Sequence, residues 1–142
     1  MAVIDLYNAA ILVNAVDLSN KCRKVRVQFG QEKKETTAFG NTARTYIYGL
    51  ATPMCEAEFY LDRASGSVVQ TLRGLLGVGT SAFALNVRAS NSAATTSNEV
   101  YTMNAVIDGG IDVINGAIGD VETTTVKFAC ASATGWATAT TS

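Results

Sequence analysis

Apolar and polar residues alternate along four stretches with the period of two that marks a strand with one buried face. In Cys22–Phe29 the alternation puts Arg23, Val25, Val27 and Phe29 on one side and Cys22, Lys24, Arg26 and Gln28 on the other. In Met54–Leu61, Cys55, Ala57, Phe59 and Leu61 share a face, and Met54, Glu56, Glu58 and Tyr60 share the opposite one. Phe83, Leu85 and Val87 alternate with Ala84, Asn86 and Arg88, and Val126, Phe128 and Cys130 with Thr123, Thr125 and Lys127. Arg44–Leu50, Val100–Ile107 and a short piece at Ile11–Val13 read as further strands. Only Ser65–Leu76 has helical spacing: Val68, Val69, Leu72, Leu75 and Leu76 form one stripe, a serine can cap the start, and Gly77 and Gly79 end it.

Many short strands and one helix predict a mainly β fold, a β-sandwich or rolled antiparallel sheet with one flanking α-helix. No linker or internal repeat interrupts the chain, so residues 1–142 are read as a single domain with a core over 10–130. Residues 131–142, rich in Ala, Thr and Ser around Trp136, read as a flexible tail. Gly30–Thr42 is polar, mixed in charge and too long for a tight turn, which predicts a long loop that is functional or disordered.

Composition narrows the function. Charged residues make up only 16% against 48% hydrophobic, and net charge is −1. An ordinary domain carries about a quarter charged residues, so the low charge predicts a surface largely covered by other copies. No basic segment precedes an apolar one at the N-terminus and no apolar run is long enough to span a bilayer, which predicts no signal peptide and no membrane partner. Three cysteines, without a CxxC pair, read as structural thiols.

The chain has no histidine, which excludes Ser-His-Asp, Cys-His and histidine-liganded zinc chemistry. Glu56 and Glu58 are the one carboxylate pair with a spacing, about 6–7 Å along a strand, suited to glycoside acid–base work. Without a desolvating neighbour or flanking sugar-stacking aromatics in sequence, they read as a polar strand face. Six of the eleven basic residues fall between Lys21 and Lys34, but Glu32 and Glu35 dilute them and only Phe29 is near for stacking. The reading is therefore of a structural protein, not an enzyme, with no cofactor, metal or catalytic residue.

A series of phrases carries a resemblance. In order they are Val16-Asp17-Leu18-Ser19-Asn20, Thr36-Thr37-Ala38-Phe39-Gly40-Asn41 with Arg44, Gly49-Leu50, Glu58-Phe59 leading to Asp62, and Gly66-Ser67-Val68. Val87-Arg88, Ser97-Asn98 with Tyr101, Gly119-Asp120-Val121 and Thr124-Thr125-Val126-Lys127-Phe128 follow. From about residue 10 to 130 this succession resembles the major tail (tail tube) proteins of long-tailed bacteriophages with non-contractile tails.

The resemblance implies a virion component, assembled in the host cytoplasm as rings of six whose strands join into a β-barrel around a channel. Its implied partners are copies of itself, the tape-measure protein, tail terminator and distal tail or baseplate proteins, and double-stranded DNA in transit without specific binding. It implies an inter-ring contact at Glu32, Lys33, Lys34, Glu35, Thr37, Phe39, Gly40, Asn41 and Arg44, with Glu56 and Glu58 as candidate channel-facing charges. The family often has Asn-Pro before the tyrosine, whereas this chain has Asn98-Glu99-Val100-Tyr101, and no immunoglobulin-like segment follows the core. The alternatives are the inner tube of a contractile or secretion-type particle, and a monomeric β-sandwich module that decorates a capsid or binds a ligand.

Overall fold

A computed structural model describes residues 8–141; residues 1–7 and Ser142, within the expected domain bounds, lie outside the described residues. The strands are β1 (Ala10–Val13), β2 (Val16–Asp17), β3 (Cys22–Gln28), β4 (Gln31–Glu35), β5 (Tyr46–Ala51) and β6 (Met54–Tyr60). After helix α1 (Val68–Gly74) come β7 (Phe83–Arg88), β8 (Val100–Asp108), β9 (Thr123–Cys130) and β10 (Ala137–Ala139). Eight strands form one antiparallel sheet in the order β2-β1-β7-β8-β9-β6-β3, with β10 also paired to β8, and β4 and β5 form a separate ribbon. The mainly β expectation holds.

The four alternating stretches became β3, β6, β7 and β9 because each has one face on the core. Phe59, Phe128, Leu85, Val126 and Cys55 are fully buried there, and α1 adds Val68 and Leu72 to the same cluster. Each such aliphatic or aromatic side chain contributes roughly 1.5–3 kcal/mol on burial. Phe83 meets Phe128 edge to face, with ring centroids 5.9 Å apart.

The sheet rolls until β3, at one edge, returns toward β8. Phe29, just past β3, touches Tyr101 at the start of β8 edge-on at 5.6 Å and stacks on Trp136 at 6.3 Å. These three rings close one end of the roll. Part of the segment expected as a flexible tail is thereby ordered: Trp136 packs against the core, and Ala137–Ala139 pair with Thr102–Val100. The pairing is possible because β9 contacts only the second half of β8, from Ala105 to Asp108, leaving the first half with a free edge.

The helix is shorter than its apolar stripe predicts. Gly74 ends it, and Leu75 and Leu76 turn out of it, their amides donating to Leu72 and Arg73 at 3.2 and 3.3 Å. Its start is tied by Asp62, whose carboxylate accepts the Ala64 amide at 3.1 Å and the Ser67 hydroxyl at 2.8 Å. Those bonds, and Lys21 at 3.5 Å, hold the Asp62 carboxyl below its ordinary range.

One face assignment changes. A β-bulge in β3 sets both Cys22 and Arg23 opposite Phe59, so Cys22 turns to the core and Arg23 to the solvent face, where it pairs with Glu58 at 3.4 Å. An extra residue inverts the faces on one side of it, and no feature of the local sequence marks the insertion.

The β1–β2 hairpin turns through Asn14 and Ala15, both with positive φ (51° and 65°). A two-residue hairpin of this hand requires that conformation, and alanine there bears a Cβ clash that glycine avoids. Ala15→Gly is expected to stabilise the fold by roughly 1 kcal/mol, read as a higher urea midpoint with an unchanged slope.

Candidate functional site: the ribbon arm and the charged sheet face

The segment expected as a loop over Gly30–Thr42 is in its first half a strand. Gln31–Glu35 pairs antiparallel with Tyr46–Ala51, Lys34 opposite Ile47 and Glu35 opposite Tyr46. Sequence reading missed β4 because Gln-Glu-Lys-Lys-Glu has no apolar alternation, and it has none because the subunit buries neither face of the ribbon. The usable signal lay in β5, whose tyrosines and isoleucine required a hydrogen-bonding partner strand.

The arm is ordered by its own contacts. At its tip the Thr36 amide donates to the Thr45 carbonyl at 2.8 Å, and the Thr45 amide donates to the Thr37 hydroxyl at 3.0 Å. Arg44 reaches Glu35 at 3.5 Å, Lys34 reaches Glu32 at 3.4 Å, and Lys33 lies 4.3 Å over the Tyr46 ring. Gly40 turns the tip with φ 90°, beside a wholly exposed Phe39 and the exposed Asn41. Gly49 and Leu50 together oppose Glu32 in a bulge, where a Cβ on Gly49 would sit 2.9 Å from the Glu32 carboxylate. At the base a Cβ on Gly30 would lie 2.8 Å from the Thr52 carbonyl oxygen. The structure thus gathers all nine residues expected at an inter-ring contact, Glu32 to Glu35, Thr37, Phe39, Gly40, Asn41 and Arg44, into one projecting arm.

What the expectation lacked is the apolar content of this arm. Ile47 is 59% exposed, Tyr48 82% and Leu50 78%, with Tyr46 also exposed. A lone two-stranded ribbon is marginal in water, and exposed apolar area of this kind marks an interaction surface.

Glu56 and Glu58 occupy the solvent face of β6, half-buried, as their alternation predicts. Cross-strand register supplies each with a basic neighbour. Arg26, Glu56, Lys127 and Asp108 form one row over β3, β6, β9 and β8, so charge alternates in sign across four strands. Lys24 and Arg23 flank Glu58. The face therefore holds Arg23, Lys24, Arg26 and Lys127 against Glu56, Glu58 and Asp108, a mixed field rather than an acidic one. Both glutamates stand on an open polar strand face and not in an enclosed apolar site.

Burial pushes the Cys55 thiol up to about 12, with Cys22 and Glu56 adding to the effect. It is a protonated packing group at neutral pH. Among the described residues no cluster of three His, Cys, Asp or Glu is placed to hold a metal, and no helix is long and apolar enough to cross a membrane.

No protein-family model matches the sequence, and no curated protein matches it. Solved structures do match. A chain of the virion of a native gene transfer agent particle aligns with TM-score 0.73 and 14% identity, over 95% of this chain and 99% of that one. The chain shares its fold with a component of that particle. A chain from the tail of the empty gene transfer agent particle, refined with C6 symmetry, aligns with TM-score 0.64 and 15% identity, over 86% and 83% of the two chains. A chain from the sheath/tube terminator structure of an extracellular contractile injection system aligns with TM-score 0.70 and 8% identity, over 96% of both.

Proposed function

We propose that this chain is the structural subunit of a phage-type tail tube, stacking in rings of six around a channel, and that it catalyses no reaction. The observation that carries the reading is the β4–β5 ribbon. It leaves the rolled sheet as an ordered arm with tyrosines, Ile47 and Leu50 in solvent, on a chain with little surface charge. The likeness to tail-particle chains over nearly the whole length supports self-association as the use of that arm. Open edges at β3 and at β1–β2 favour closure by neighbouring subunits, since unpaired edge strands are otherwise an aggregation hazard.

In this reading the solvent face of β3, β6, β9 and β8, with Glu56 and Glu58, lines the channel. Its alternating rows offer DNA no continuous basic track, which suits passage without specific binding. The tape-measure protein would occupy the channel before DNA, and terminator and distal tail or baseplate proteins would meet the two ends of the tube. Assembly would take place in the host cytoplasm and the product would reside in the virion.

Purified protein is expected to form rings and tubes of uniform diameter in negative stain. A protein that stays monomeric by sedimentation at high concentration would overturn the reading. The inner tube of a contractile particle is a second reading, favoured by the likeness to injection-system chains. Co-purification with a sheath protein from the native particle would select it.

A further inference from the structure

The ribbon leaves the sheet between Gln28 and Met54, at the end where Met54 pairs with Ala129. About 20 Å away along β6, the opposite end carries Tyr60 against Thr123 and the 109–122 loop that leads into β9. That loop is held in shape. Arg63 donates to the Val113 carbonyl at 2.9 Å and pairs with Glu122, the Asn115 amide group donates to the Thr123 carbonyl at 2.9 Å, and the Asp112 amide donates to the Thr124 hydroxyl at 3.1 Å. Yet Ile114 is 79% exposed, and Ile118 and Val121 also stand in solvent, beside an open groove bounded by Tyr60, Gly116, Asp120 and Arg23, whose guanidinium is paired with Glu58. An ordered loop that holds three branched aliphatics in water has the character of a docking surface.

Charge selects the occupant. In the arm Lys34 and Arg44 are paired with Glu32 and Glu35, which leaves Lys33 as the excess positive charge, while in the loop Glu122 is paired with Arg63 and Asp112 and Asp120 are in no ion pair among the described residues. The basic, aromatic arm and the acidic, aliphatic loop are complementary, and they lie at opposite ends of one molecule. We infer that the 109–122 loop is the receptor for the β4–β5 ribbon of a second copy, so that Asp112 and Asp120 face Lys33 and Lys34 across the junction and Ile114, Ile118 and Val121 cover the ribbon's apolar side chains. Such a contact is heterologous and repeats without closing. The inference rests on the tube reading and adds the receiving surface to it.

The test uses two full-length variants, Lys33→Glu/Lys34→Glu and Asp112→Lys/Asp120→Lys, with folding checked by circular dichroism. Each variant alone places like charges across the junction and is expected to give at least roughly tenfold less sedimentable tube than wild type, since like-charge juxtaposition strongly disfavours association. An equal mixture restores opposite charges at every junction where the two variants alternate, and is expected to assemble. If the Asp112→Lys/Asp120→Lys protein polymerises alone as wild type does, or the mixture stays unassembled, the loop is not the receptor while the tube reading survives. If wild type itself forms no tubes, both readings fall together.

Discussion

Tyr46→Ser/Tyr48→Ser/Leu50→Ser is expected to yield a folded subunit that forms no tubes. None of the three side chains belongs to the buried core cluster, and the ribbon's backbone pairing with β4 is kept. The wild-type thermal transition should therefore be nearly preserved. Buried aromatic anchors at an interface typically cost about 2 kcal/mol or more each when truncated, and a tube repeats the loss at every subunit. Sedimentation and negative stain give the result, and wild-type yields of tube would rule the ribbon out as the assembling surface. Deleting Glu32–Asn41, the polar stretch that sequence alone marks, is a blunter version. It removes β4 as well and leaves β5 without its hydrogen-bonding partner.

Phe128→Ala is expected to lower stability by about 3–5 kcal/mol, the usual range for deleting a buried aromatic ring. Phe128 is almost fully buried on β9, opposite Cys55 on one side and Ile107 on the other, with Phe83 against its ring. Against a total of about 5–15 kcal/mol for an ordinary domain, the loss would leave a marginal subunit. Lys127→Ala, one residue away on the solvent face, serves as the control, with an expected change within about 0.5 kcal/mol. Urea unfolding of the two variants decides. A Phe128→Ala midpoint close to that of the Lys127→Ala protein would mean that β9 does not face the core as drawn.

Legibility in the sequence followed burial. Strands β6, β7 and β9 alternate cleanly because each has one face on the core, and the faces read for Glu56, Glu58 and Lys127 are the faces found. The ribbon did not show as two strands because a period of two appears only when a subunit buries one side, and this subunit buries neither side of the ribbon. The nine residues that the resemblance implies at a contact all fall on this one ribbon and its tip, outside the core. The inverted faces of Cys22 and Arg23 depend on one inserted residue, which leaves no mark on composition. Strand β10 escaped notice because alanine and threonine carry little pattern; Trp136, a large apolar ring within a run of small residues, was the only hint that the segment docks.

The arm and the 109–122 loop stand at opposite ends of β6, and this gives any polymer built through them a direction. One terminus of the filament displays only unfilled arms and the other only vacant loops. In such a polymer, a protein that caps the arm end must present an acidic, aliphatic cradle, while one that caps the loop end must offer a basic, aromatic finger. The two caps could not be exchanged, because the two surfaces on one subunit differ in charge and shape.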